Sequence, residues 1–462
     1  MSRHQSGNQT GHLIVVPATR AAPGWIDGEA RLPFASGGPG VYISRSRNWG
    51  YRVRVRSRVV ALVLSVSLAQ ACAHQAVRGR APESAGSADP LVLRCESGDS
   101  HVCGLLAARL VERDPERAVA LYDRACADGE MIACAALGGL HEEGRGVTQS
   151  FEAAVRFYER ACRGEIAIAC YGLGRLVRRG DGVERAPARA AGLFDGACRR
   201  GEARACLDQG LMVQRGEGVA QDLERALELF TRACDAELLE GCHNAALVHL
   251  SLGGLEDPAH AVDLLHRACS SGLTGACFDL GILYEHGRGV RRDLVTATTL
   301  YRRACDESEP RACVNLAVAY LEGWGVPRDL DQTVLLLRRA CDQGIARGCA
   351  NLGALYESGR GVGQDDAEAA ALYSRACDAG ETLGCANLGT LYARGRGVGQ
   401  DERRAVQLYQ QSCDGGEMRG CLDLGSAYER GAGVEADPAR AQELYRMACQ
   451  GGLEDACALL AR

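Results

Sequence analysis

The chain has 462 residues, 24% of them charged and 47% hydrophobic, with a formal net charge of −6 and 23 cysteines. Its 53 basic residues are all arginine. Residues 1–72 carry nine arginines against Asp27 and Glu29, so the remaining chain is strongly acidic, a poor match for nucleic acid or anionic lipid surfaces.

Residues 1–50 show no hydrophobic periodicity, and the sequence reads as a disordered extension or as residues upstream of the true start. Residues 51–72 read as a signal peptide. Arg52, Arg54, Arg56 and Arg58 precede an apolar run from Val59 to Leu68, which is too short to span comfortably as a mature transmembrane helix. This places the start of synthesis near Val53 or Val55. Leu68, Ala69, Gln70, Ala71 and Cys72 end the segment and resemble a bacterial lipobox, although the leucine sits one place early and Gln70 is atypical. Cys72 is therefore the expected lipidation site, with ordinary cleavage after Ala71 or Ala73 as the rival. Residues 73–90 form a flexible tether reaching roughly 25 Å as a random coil.

From Leu91 to Arg462 one unit repeats. Cys349, Leu352, Leu355 and Tyr356 fall at helical spacing and define a first helix, helix A. Gly359, Arg360, Gly361 and Val362 break it, and Asp365 or Asp366 can cap a second helix, helix B. Ala369, Leu372, Tyr373, Ala376 and Cys377 follow at i, i+3, i+4, i+7 and i+8, then Asp378, Ala379 and Gly380 end the unit. One hairpin cannot bury its own apolar stripe, but stacked copies can. The fold class expected is all-α: a right-handed α/α solenoid of about ten 36-residue hairpins. Gly138, Gly174, Gly210, Gly281, Gly353, Gly389 and Gly425 follow the first leucine of helix A, with Ala246 and Ala317 in the same slot of two units. Small residues there let two helices approach closely. Ala118, Ala154, Ala190, Ala226, Ala261, Ala297, Ala369, Ala405 and Ala441 play the matching part on helix B, where Thr333 departs from the column. The aromatic column Tyr284, Tyr356, Tyr392 and Tyr428 on helix A is expected in the core.

Twenty-two cysteines form pairs eight residues apart: Cys95 with Cys103, Cys126 with Cys134, Cys162 with Cys170, Cys198 with Cys206, Cys234 with Cys242, and Cys269 with Cys277. The series continues with Cys305 and Cys313, Cys341 and Cys349, Cys377 and Cys385, Cys413 and Cys421, and Cys449 and Cys457. Each pair joins the end of one helix B to the start of the next helix A, so the two sulfurs should meet as a local disulfide. Zinc ligands usually stand two to four residues apart, several to a site. Free thiols packed as small apolar groups are the other reading. Disulfides imply an oxidising compartment.

The first hairpin, Cys103 to Cys126, is shorter and turns through Asp114 and Pro115. The Cys242 unit is one residue short in its Ser251–Leu255 loop and holds His243, His249, His260 and His266 at spacings unlike metal ligands. No metal and no cofactor are expected.

The pattern A-C-x-N-L-G-x-L-Y, then G-x-G-V, then A-x-x-L-Y-x-x-A-C-D stands almost literally at 348–378 and 384–414. It resembles the Sel-one-like repeat family of the tetratricopeptide superfamily, and the cysteine pairs are similar to those of the secreted Helicobacter cysteine-rich proteins. The resemblance implies disulfides between adjacent helices and a scaffold that holds proteins or peptides on a concave helix A face. It also brings an alternative, the penicillin binding or β-lactamase activity assigned to some cysteine-rich members. With no lysine, the chain has neither Ser-x-x-Lys nor Lys-Thr-Gly, and it lacks His-Glu-x-x-His and Gly-x-Ser-x-Gly. No catalytic residue is expected. A structural spacer of the cell envelope is a second alternative. The candidate ligand-binding residues are a polar ladder two places after each second cysteine: Asp208, Asn244, Asp279, Asn315, Asn351, Asn387 and Asp423. Side-chain amides at one repeat period suit an extended peptide, although a polar residue in a first helical turn also serves backbone N–H groups. The expected protein is monomeric and extracytoplasmic, in the periplasm or at the outer membrane and held to the membrane only by its N-terminal lipid, with a secreted soluble protein as the alternative.

Overall fold

The computed structural model describes residues 89–251 and 257–460. The readings made for residues 1–72 and most of the tether lie outside them, as does most of the short loop after Ser251. The described residues hold 22 helices and no strand. They fall into two compact units divided between Glu256 and Asp257.

The first unit contains α1 (Pro90–Glu96), α2 (Ser100–Leu110), α3 (Pro115–Ala127), α4 (Met131–Glu143), α5 (Phe151–Arg163), α6 (Ala167–Arg179), α7 (Pro187–Arg199), α8 (Ala203–Arg215), α9 (Leu223–Asp235) and α10 (Leu239–His249). The second contains α11 (Pro258–Ser270), α12 (Thr274–His286), α13 (Leu294–Asp306), α14 (Pro310–Glu322), α15 (Leu330–Asp342), α16 (Ala346–Ser358), α17 (Asp366–Asp378), α18 (Thr382–Arg394), α19 (Glu402–Asp414), α20 (Met418–Arg430), α21 (Pro438–Gln450) and α22 (Glu454–Leu460). Even-numbered helices are helix A, and odd-numbered helices from α3 are helix B. Within each unit, helices adjacent in sequence pack together as a solenoid, and successive helices A also touch, as in α4 with α6 and α16 with α18. Asp89 caps α1, accepting from Leu91 N at 3.0 Å, and Pro90 is the first residue of that helix.

The local signals explain the boundaries. Asp365, rather than Asp366, caps α17, accepting from Ala367 N and Glu368 N, each at 3.0 Å. Asp366 is the first helical residue and instead binds Arg396, with Arg396 Nη2 donating to Oδ1 at 2.7 Å. Gly359 ends α16 at φ 68°, in the left-handed region that favours glycine. The second loop glycine is needed twice over. Gly397 also has a left-handed φ of 67°, and a Cβ there would collide with the Asp366 carbonyl at the start of the preceding helix B. Only glycine lets the loop of one hairpin ride on the first turn of the hairpin before it.

All eleven cysteine pairs are disulfides, with Cα–Cα separations of 4.5–4.8 Å, within the range a disulfide bridges. Closing so small a loop restricts the unfolded chain by about 2.5 kcal/mol at most in the chain-entropy account. An arginine two residues before several first cysteines adds a second tie. Arg232, Arg339 and Arg375 donate through Nη2 to the carbonyls of Cys198, Cys305 and Cys341, one repeat earlier, at 3.0–3.1 Å. Those carbonyls stand at helix C-termini, where each also accepts the backbone N–H of the residue three places on, Gly201, Ser308 or Gly344.

The glycine column does more than bring two helices close. A Cβ on Gly281, Gly389 or Gly425 would stand 2.6–2.7 Å from the ring of Tyr301, Tyr409 or Tyr445 on the helix B of the same hairpin. Gly174 and Gly210 receive Phe194 and Phe230 in the same way. Tyr301, Tyr373, Phe194 and Phe230 are at most 1% exposed. The aromatic core thus belongs to helix B. Tyr284, Tyr356, Tyr392 and Tyr428 on helix A are partly buried, and Tyr356, Tyr392 and Tyr428 pack against the core from its edge. The Tyr356 hydroxyl reaches the surface, where Arg338 Nη2 donates to it at 2.7 Å. Thr333, the departure on helix B, is fully buried and donates back to the Asp329 carbonyl at 2.8 Å.

Candidate binding face of helix A

The stripe Cys421, Leu424, Gly425 and Tyr428 turns α20 towards its helix B. Residues at i, i+4, i+7 and i+11 on the other side form a second stripe, here Arg419, Asp423, Ser426 and Arg430. The corresponding stripe on α18 is Leu383, Asn387, Thr390 and Arg394, and on α16 it is Arg347, Asn351, Ala354 and Ser358. The polar ladder therefore lies on one face of helix A, as its spacing requires. Its members differ sharply in access.

In the second unit, Asp279, Asn315 and Asn351 are buried, with 6%, 2% and 1% exposure. Asn387 and Asp423 are only partly buried. In the first unit, Asp208 and Asn244 are also partly buried, and both have partners. Arg178 Nη1 lies 3.7 Å from Asp208 Oδ1 while its other nitrogens hold Glu217 at 2.9 and 3.2 Å. Burial raises the Asp208 carboxyl above its ordinary range, against the pull of Arg178 and a hydrogen bond from Tyr171. Asn244 Nδ2 donates to the Glu240 carbonyl at 2.7 Å. Asn244 is the sixth residue of α10, so this is a bond back to the carbonyl four residues earlier and not the first-turn role of accepting from free N–H groups.

Asp423 stands apart. Its Oδ2 is covered and accepts no hydrogen bond from the described residues. Burial pushes its carboxyl up to about 6, opposed by the charges of Arg419, Arg394 and Arg430. None of these three arginines forms an ion pair among the described residues. Arg430 Nε donates only to the Ser426 carbonyl, at 3.1 Å. They were not among the candidates chosen from the ladder, although their position on its stripe is readable from the same helical spacing.

The four histidines at 243, 249, 260 and 266 do not assemble into a site: among the described residues no group of His, Cys, Asp or Glu side chains could hold a metal ion. No helix of the described residues is long and apolar enough to cross a membrane.

Comparison with known proteins agrees with this architecture. Ten consecutive segments, from residues 103–130 to residues 419–453, match the Sel1 repeat. A protective antigen of uropathogenic Escherichia coli strains displaying an SLR fold has a similar structure, with 25% identity, 80% of each chain covered and a TM-score of 0.67. The Helicobacter pylori cysteine-rich protein B is 30% identical over 29% of this chain and 96% of its own, with a TM-score of 0.25. A Sel1 repeat protein from Oxalobacter formigenes is 22% identical over 84% of this chain and 98% of its own, with a TM-score of 0.42. No curated protein matches the chain. With ten matched repeats, eleven disulfides between consecutive helices and hairpins stacked in each unit, the chain belongs to the Sel1 repeat family, as a cysteine-rich member.

Proposed function

We propose that the chain is a non-catalytic scaffold that binds a protein or peptide along the accessible part of the helix A stripe, and that it works outside the cytosol, anchored by a lipid on Cys72. The observation that carries the binding reading is the polar ladder at one-repeat spacing, whose Asn387 and Asp423 are partly exposed and make no hydrogen bond with the described residues. Repeat folds use such surfaces for docking because each hairpin presents the same stripe at a regular step. The eleven disulfides support an oxidising compartment. The arginine-flanked apolar run at residues 52–68 and the unpaired Cys72 support export and lipidation.

In-cell crosslinking followed by pull-down tests the scaffold. One recurrent partner is the expected result, and a diffuse set of neighbours would favour a structural spacer instead. Alkylation under denaturing, non-reducing conditions tests the compartment: at most Cys72 should react, and modification of the other cysteines would overturn the export reading. Mass spectrometry of the N-terminal peptide tests the anchor, with a diacylglyceryl Cys72 expected and an unmodified N-terminus after Ala71 or Ala73 against it.

A further inference from the structure

Resting on that reading, we propose that the stripe formed by Asn387, Arg394, Arg419, Asp423 and Arg430 binds an extended acidic peptide segment. The ladder narrows the location first. Asp279, Asn315 and Asn351 are buried, so a ligand of the second unit meets the ladder at α18 and α20. The charges then select the ligand. Arg394, Arg419 and Arg430 share this stripe, yet none forms an ion pair, whereas other arginines of the unit, such as Arg347 and Arg396, are held by Glu381, Glu357 and Asp366. Three guanidinium groups without ion-pair partners favour carboxylates supplied from outside.

Asp423 selects further. Its Oδ2 is covered, but the residue is partly exposed and accepts no hydrogen bond from the described residues, and an extended peptide offers the accessible part of the carboxylate a backbone N–H at the spacing of its own side chains. A continuous phosphate backbone offers no such donor. Asn387 can bind a second peptide group one repeat away. The complementary ligand therefore has backbone amides for Asn387 and Asp423, flanked by Asp or Glu side chains for the arginines.

The test is fluorescence anisotropy with the oxidised full-length protein and three labelled peptides of equal length: one alternating Glu with Ala, its Gln counterpart and its Lys counterpart. Tighter binding of the Glu peptide, by about tenfold over the Gln peptide and weakened by salt, is expected. The double variant Arg394→Gln/Arg430→Gln should lose that preference while Arg440→Gln, on a helix B, keeps it. Circular dichroism and thermal unfolding confirm that each variant is folded. Equal binding of the Glu and Gln peptides would overturn the acidic preference and leave the scaffold reading standing. So would wild-type affinity in the folded double variant. Failure of all three peptides to bind would remove both readings for this stripe. Arginine-dependent binding of a single-stranded oligonucleotide in place of the peptides would overturn the peptide assignment.

Discussion

Tyr373 donates its hydroxyl to Glu357 Oε2 at 2.9 Å, across the hairpin from helix B to helix A. Its ring fills the space that a Cβ on Gly353 would need. The relationship recurs with the same sequence separation. Tyr158 pairs with Glu142 at 3.0 Å, Tyr301 with Glu285 at 2.6 Å, and Tyr445 with Glu429 at 2.8 Å. Where the carboxylate is replaced by Arg178 or Gln214, the ring is Phe194 or Phe230 and carries no hydroxyl. Tyr409 faces Ala393 in register and turns to Thr390 Oγ1 at 3.4 Å. In these hairpins the hydroxyl is present where an acceptor faces it, because an unpaired buried one is costly; Tyr122 of the first hairpin, buried with no side-chain acceptor among the described residues, is the exception.

The glycine column predicts a steric effect. Gly353→Ala gains helix propensity worth about 0.5–1 kcal/mol, but its Cβ would stand 2.9 Å from a ring that is fully buried. Overpacking of this kind costs about 1–3 kcal/mol, so thermal unfolding should show a net loss of stability. Gly363→Ala is the control. Gly363 has no left-handed φ and nothing within 4 Å of its Cβ position, so its melting temperature should hold or rise slightly.

Tyr301→Phe should destabilise by about 1–3 kcal/mol, because it leaves a buried carboxylate without its donor. Glu285 is only 7% exposed. Tyr409→Phe should cost less, since its hydrogen bond is 3.4 Å long. Chemical denaturation of the two variants side by side measures the difference.

Asp423 gives a pH-dependent prediction. Burial raises its folded-state value from 3.8 to about 6. A raised carboxyl favours the fold below its unfolded value, and that contribution is lost as pH rises through the folded value. The ionised group therefore opposes folding at neutral pH, on the order of 2–3 kcal/mol. Asp423→Asn, the residue found at 315, 351 and 387, should raise the melting temperature at pH 7.5 and leave it nearly unchanged at pH 3.5. Unfolding curves across that range should show the two proteins separating between about pH 4 and 6.

Glu165, Glu237 and Ser308 adopt left-handed backbone, with φ of 63–76°, in the turn between helix B and the next helix A. Gly344, Gly380 and Gly416 hold the same place in other units. Glu237→Gly should relieve this strain and stabilise the protein by about 1 kcal/mol. A fall in melting temperature would show that the glutamate has an interaction that outweighs the strain.

The sequence alone determined the hairpin, its period and its disulfide partners. Each rests on local rules: an apolar stripe of helical period, a glycine that ends a helix, and cysteines at the two ends of a short turn. It also placed the ladder on one face of helix A, because positions two after each second cysteine are equivalent in every repeat. Equivalence is where its resolving power ended. Sequence treats Asn351 and Asn387 as the same residue in the same motif, yet one is 1% exposed and the other remains partly accessible. Likewise Tyr356 and Tyr373 both fit an apolar stripe, and only the packing buries the second completely and leaves the first at the edge of the core with its hydroxyl exposed. Access depends on how closely successive hairpins approach, which is set by the side chains of several repeats together. For the same reason, only the tertiary structure brings Arg394, from one hairpin, close enough to act on Asp423 of the next.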